Sequence, residues 1–155
     1  MKNSKDVNNH RTDTIYSSPQ ETVQPFEFNQ SVVAVFDDMI SRSVPGYAFN
    51  LDLIALAASR YAQADSQLYD LGCSSGRATL ALAEASPETC HIIGVDNSAA
   101  MIDACSASLD DSPYGHRIEL RCEDLLETPH SNASVISLND TLQFLPLTAR
   151  EPSPE

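Results

Sequence analysis

Two short apolar runs each end in groups that could hold a nucleotide-like ligand. The first closes in Tyr69-Asp70-Leu71-Gly72-Cys73-Ser74-Ser75-Gly76, and the second, Ile92-Ile93-Gly94-Val95, closes in Asp96-Asn97-Ser98. Asp96 follows the last glycine of the loop by 20 residues. That separation is expected when one ligand lies across the carboxyl ends of two parallel strands. Gly72 and Gly76 allow tight turns and a close approach to a ligand where a Cβ would collide. Asp96 can accept both hydroxyl hydrogens of a ribose, a bidentate arrangement that few other side chains offer.

The loop departs from the dinucleotide fingerprint, because Ser74 stands where that pattern has its middle glycine. Asp70 departs further. A carboxylate beside a pyrophosphate would repel it by about a kilocalorie per mole or more at short range. A ligand without phosphate, carrying a sulfonium and an α-ammonium group, suits an acid in that place. The order acid, glycine loop, second acid resembles the first two motifs of the Rossmann-like (class I) methyltransferase superfamily, whose ligand is S-adenosyl-L-methionine. On spacing alone the acid also fits a different role, capping the helix that follows and binding nothing.

Bulk properties narrow the classes. A chain of 155 residues, 42% hydrophobic, is sized for one globular domain. No apolar run approaches the roughly 18 to 20 residues of a membrane span, and the polar opening MKNSKDVNNHRTDT lacks the apolar centre of a secretory signal. Cys73, Cys90, Cys105 and Cys122 form no CxxC pair; no metal is expected, and reduced thiols of a cytoplasmic protein are. A formal net charge of −13 repels phosphate backbones, which disfavours direct nucleic-acid binding. It mildly favours a cationic ligand, although most of those carboxylates read as a solvated surface. His10, His91, His116 and His130 are scattered and read as structural. Cys73 reads as a small loop residue and not a nucleophile.

The elements that must position these groups follow from periodicity. Residues 1 to about 24, rich in Asn, Ser, Thr and Asp, read as a flexible arm. Val32, Val33, Val35, Phe36, Met39 and Ile40 recur at helical spacing up to Pro45-Gly46, and a second helix is expected from about Phe49 to Ala64. An α/β alternation follows. Strands are expected over about 67–71, 91–95, 117–122 and 134–138, with helices over about 76–85 and 99–108. Pro146, Pro152 and Pro154 end regular structure. The chain thus divides into an arm (1–24), an incomplete ligand-binding domain of Rossmann-like α/β type (25–146) and an irregular Pro-rich tail (147–155). Its sheet is expected to hold about four parallel strands in the order 3-2-1-4, preceded by N-terminal helices.

Longer strings point to a narrower family. Phe36-Asp37-Asp38-Met39-Ile40-Ser41-Arg42-Ser43-Val44-Pro45-Gly46-Tyr47, Tyr69 to Ser74, Asp96-Asn97-Ser98 with Met101-Ile102, and Leu142-Gln143-Phe144-Leu145 closely resemble the carboxy-S-adenosyl-L-methionine synthases. These are bacterial enzymes of tRNA wobble-uridine modification. Asp13-Thr14-Ile15-Tyr16 and Pro19 resemble that family's N-terminal segment, so the likeness runs from residue 13 to about 150. It implies a reaction of S-adenosyl-L-methionine with prephenate to give carboxy-S-adenosyl-L-methionine and phenylpyruvate. It further implies a homodimer, with a partner enzyme using the product on uridine 34 of certain tRNAs.

The ligand residues that the resemblance implies are Tyr47, Gly72, Cys73, Ser74, Asp96, Asn97, Asp124, Leu125 and Asn139; no catalytic group is implied. Gly72 to Ser74 would give close approach and backbone donors to the amino-acid moiety, and Asp96 would take the ribose hydroxyls. Asp124 would accept from the adenine amino group with Leu125 against the ring. Asn139 would face the sulfonium, and Tyr47 would close the top. Asp124 fits a helix cap equally well, and Tyr47 fits a core aromatic. The family's members are longer, and Arg42, Arg77 and Arg150 do not align with their carboxylate-binding arginine. The expectation is therefore a truncated member whose fourth strand is an uncovered parallel edge, marginally stable and weak in binding. An ordinary small-molecule methyltransferase, or a non-catalytic fragment that binds the cofactor or pairs with a full-length subunit, stand as the other readings.

Overall fold

The computed structural model describes Val33 and residues 35–145. The expected arm over 1–24, the start of the first helix at Val32 and the Pro-rich tail over 147–155 lie outside the described residues.

Helix α1 spans Phe36–Ser43. Phe36, Met39 and Ile40 pack together around Met101, the i, i+3, i+4 stripe that a helix needs to seat one face. Val44 ends it in an extended conformation (φ −108°, ψ 102°), the region to which a residue before proline is confined. Gly46, at φ +79°, turns the chain directly into α2, Tyr47–Tyr61. That helix begins two residues earlier than its apolar pattern indicates, because the left-handed glycine supplies the start.

The α/β alternation then follows as the sequence predicts: β1 Gln67–Leu71, α3 Arg77–Ala85, β2 His91–Asp96, α4 Ala99–Leu109, β3 Ile118–Cys122 and β4 Ala133–Ser137. The four strands form one parallel sheet in the order β3-β2-β1-β4. Leu68 pairs with Ile92 and Leu71 with Val95 across the centre; Ile92 pairs with Ile118 and Asp96 with Cys122 on one side. A register irregularity between Gln67 and Leu68 marks the β1–β4 pairing.

The two central strands are buried on both faces, which is why their sequences read as continuous apolar runs and not as alternation. Leu68 and Ile92 pack with Ala58, Leu82 and Ala83 on the side of α2 and α3. Tyr69, Leu71, Ile93 and Val95 form a second cluster with Leu125. In the described sheet β4 is an edge, with Ile136 46% and Leu138 38% exposed, as an uncovered fourth strand predicts. Arg117 corrects one boundary. It does not open β3 but closes a 3₁₀ turn over Gly115–Arg117 and is buried. Among the described residues no helix is long and apolar enough to cross a membrane.

Candidate ligand-binding site

The site is assembled where β1 and β2 end side by side. After Leu71 the chain reverses at Gly72 (φ +86°), and the N–H groups of Gly72 and Cys73 both donate to the Val95 carbonyl, at 2.8 and 2.9 Å. Ser74 is also left-handed, at φ +48°, and Gly76 follows at φ +85°. An L side chain at Ser74 is uncommon in that region. Its N–H donates to Asp96 Oδ2 at 3.0 Å, and the Ser98 N–H donates to Asp96 Oδ1 at 2.9 Å. Asp96 therefore clamps both loops, while each oxygen keeps acceptor capacity for a further hydrogen.

Two details differ from the expectation. A Cβ at Gly72 would drive into the Thr141 side chain, and one at Gly76 would meet Cys105 Sγ. The crowding that demands glycine comes from the protein itself. The amides of Gly72, Cys73 and Ser74, expected to reach the ligand, are instead engaged by Val95 and Asp96.

Asp70 is buried at the end of β1, with Thr79 Oγ1 donating to its Oδ2 at 2.7 Å. Its Oδ1 is buried without a hydrogen-bond partner. Burial pushes its carboxyl up to about 6, against the Thr79 hydrogen bond that favours ionisation. Asp70 is not among the residues that line the cavity beside it, so it acts on a ligand there only through its field.

That cavity has a volume of about 550 Å³, and all nine residues proposed from the sequence line it: Tyr47, Gly72, Cys73, Ser74, Asp96, Asn97, Asp124, Leu125 and Asn139. The volume lies in the range of small-molecule pockets. The sequence reading missed two parts of the wall. Phe36, Met39 and Ile40 of α1 line one side, and Asp140, Thr141 and Phe144 line another. The helical stripe of α1 was legible, but as core packing. The segment after β4 gave a signal only as part of a longer resemblance. Helix α1 is fastened over the glycine loop: Ser75 Oγ donates to Asp37 Oδ1 at 2.8 Å, and Arg77 Nη1 lies 3.8 Å from Asp37 Oδ2.

The side chains in the wall have definite states. Burial first, then the charge of Asp37, raises the Tyr47 phenol to about 12, with Arg77 opposing. Tyr47 is thus a neutral hydroxyl across the ordinary pH range. A hydrogen bond with Cys105, and burial, push the Cys73 thiol up, which leaves it unreactive. Asp124 takes part in a turn, where its Oδ1 accepts from the Leu126 N–H at 2.9 Å, and also stands in the cavity wall. Three acids, Asp96, Asp124 and Asp140, stand in the described wall, with no Lys, Arg or His. The described histidines lie elsewhere. His91 and His116 pair with Glu119 and Glu88, and His130 sits edge-on to Tyr69. Among the described residues no group of His, Cys, Asp and Glu is placed to hold a metal ion.

A family model described as a methyltransferase domain matches residues 68–152. The carboxy-S-adenosyl-L-methionine synthase of Hahella chejuensis is 46% identical over 145 residues, covering 90% of this chain and 58% of the relative. The enzyme of the same name from Idiomarina loihiensis is 49% identical over 141 residues, with the same coverage. The chain thus spans somewhat under two thirds of the length of the curated relatives it matches. A solved structure from Methanococcus maripaludis, assigned as an S-adenosyl-L-methionine-dependent methyltransferase, superposes with a TM-score of 0.63. It covers 84% of this chain and 60% of the other at 21% identity, a likeness of fold.

Proposed function

The chain belongs to the methyltransferase-domain family, and on that premise we propose that it is the cofactor-binding portion of a carboxy-S-adenosyl-L-methionine synthase. One observation carries the choice of ligand: the described wall holds three carboxylates and no Lys, Arg or His. Such a wall rejects a pyrophosphate and accepts a cation without phosphate, which describes S-adenosyl-L-methionine.

In this reading the ribose hydroxyls meet Asp96, which two backbone N–H groups already orient. Asp124 accepts from the adenine amino group, and Leu125, packed on the second core cluster, backs the ring. The close turn of Gly72 to Ser74 leaves room for the amino-acid moiety. Asn139 stands at the sulfonium end, and Tyr47 closes the site with a phenol that stays protonated. The apolar residues Phe36, Met39 and Ile40 keep water from that end.

When bound, the sulfonium supplies an acidified methyl carbon able to take up the carbon dioxide that prephenate releases, with phenylpyruvate and water as the remaining products. The residues named here align the ligand and exclude water, tasks on which such a reaction depends. The carboxylates of prephenate would pair with a cation outside the described wall. The use of the product on tRNA uridine 34, a homodimer and a cytoplasmic location belong to the same reading and rest on likeness to the relatives.

The test is to incubate the purified chain with S-adenosyl-L-methionine and prephenate and to weigh the nucleoside products. A cofactor heavier by one carbon dioxide, with phenylpyruvate, is expected. S-adenosylhomocysteine together with a methylated prephenate would indicate an ordinary methyltransferase. Calorimetric binding without turnover would leave a cofactor-binding module, and the absence of both would overturn the reading.

A further inference from the structure

We propose that the Asp140 carboxylate is the acceptor for the α-ammonium group of the bound ligand. The inference rests on the cofactor reading above and adds a recognition residue to it. Asp140 lines the cavity, and its Oδ2 is buried without a hydrogen-bond partner. A buried carboxylate oxygen left in that state costs free energy unless a donor or cation reaches it.

The backbone holds the residue in place for this purpose. Asp140 has φ +54°, a left-handed conformation that aspartate adopts more readily than most non-glycine residues, and its surroundings hold it there. They do so through the next residue. Thr141 Oγ1 donates to the Leu71 carbonyl at 3.0 Å, and its side chain stands where a Cβ on Gly72 would be. Asp140 is thereby fixed beside the Gly72 turn.

The chemistry of that end of the cavity is one-sided. The amides of Gly72, Cys73 and Ser74 are engaged by Val95 and Asp96, so these three offer a ligand no N–H. The charge of Asp140 reaches the Tyr47 phenol, as do those of Asp37, Arg77 and Asp70, and the carboxylates of Asp96 and Asp124 share its wall. Arg77 lies against Asp37 and is not part of the wall. The place that the sequence reading gave to Asp70, a carboxylate presented to a cationic ligand, belongs to Asp140, because Asp70 spends one oxygen on Thr79 outside the wall.

The test uses three ligands with the parent chain and two variants. Asp140→Asn and Asp140→Gly both suit a left-handed backbone, so each keeps the fold, checked by thermal unfolding. S-adenosylhomocysteine carries the α-ammonium but no sulfonium; 5′-methylthioadenosine carries neither. Isothermal titration is expected to show both variants binding S-adenosylhomocysteine about tenfold or more weakly than the parent, the loss of one hydrogen bond to a charged group. Binding of 5′-methylthioadenosine should be unchanged. Equal weakening of both ligands would make Asp140 a structural residue and overturn the inference. Weakening of S-adenosyl-L-methionine without weakening of S-adenosylhomocysteine would move its partner to the sulfonium and overturn it as well. If the parent binds none of the three, the cofactor reading falls and the inference falls with it.

Discussion

Asp70 and Asp140 sit near the ends of neighbouring strands, each with a buried oxygen lacking a partner, and their surroundings set them different tasks. Asp70 is enclosed, so its charge acts on folding. Its carboxyl is raised from 3.8 to about 6 by burial, meaning that the folded chain holds the proton more tightly than the unfolded chain does. The associated stability is full below about pH 4 and is lost as pH rises through about 6. Asp70→Asn keeps an acceptor for Thr79 and removes the ionisation. Its stability relative to the parent should therefore shift in the variant's favour by up to about 3 kcal/mol between pH 4 and pH 7.5. Urea titrations at both pH values measure the shift; a difference that does not change with pH would refute the assignment. The amide's extra N–H₂ adds an offset common to both conditions, so the change and not the absolute value is diagnostic. This contrast also marks how far residue types could be read. The glycine loop and Asp96 announce themselves by spacing. Asp140 could not, because its access to the cavity depends on a left-handed backbone held by Thr141, 70 residues from its anchor at Leu71.

At the scale of elements, strands were legible to within a residue or so. A parallel strand buried on both faces is apolar over most of its length, with Asp70 the buried exception in β1, and polar residues bound it. Helix ends were less legible, since Gly46 starts α2 through a backbone conformation and not through a side-chain pattern. Arg117 was the clearest misreading, because a charged residue beside an apolar run looks like a solvent-facing strand end. In the fold its guanidinium is buried against the carboxyl end of α3. It donates to the carbonyls of Ala83 and Pro87, the latter at 2.8 Å, and stacks over the Tyr114 ring with 5.6 Å to the centroid. A cation there satisfies carbonyls that the helix cannot and complements its dipole. Arg117→Met retains most of the stem but leaves those carbonyls buried and unmet. It should lower the unfolding free energy by about 2 to 4 kcal/mol, with Arg117→Lys recovering part of the loss. Equilibrium denaturation of the three proteins checks this, and a Met variant as stable as the parent would show the clamp to be idle.

Across the whole molecule, a strong negative charge opposes apolar surface that the described fold leaves open. Phe49, Leu53 and Leu56 lie at i, i+4 and i+7 on one face of α2, and Phe49 and Leu56 are 62% and 54% exposed. Ile136 and Leu138 add apolar surface along the edge strand β4. Contiguous exposure of this kind drives association, and an unpaired edge strand offers a template for it. The net charge of −13 works in the other direction, but over a different distance. Repulsion between like-charged copies decays over about 10 Å at 0.1 M salt and about 3 Å at 1 M, whereas apolar contact acts only at touching distance and is not screened. Raising the salt should therefore uncover association that charge suppresses. Light scattering of the chain should show a weight-average mass that grows with concentration, and grows more steeply at about 0.5 M than at about 0.05 M salt. Phe49→Ser with Leu56→Ser should flatten that growth if α2 is the sticky face, and Ile136→Thr should do so if the edge of β4 is. Each substitution removes an exposed side chain, so unfolding free energies should stay within about 0.5 kcal/mol of the parent. A monomer at every salt and concentration would mean that the open faces of α2 and β4 do not attract one another.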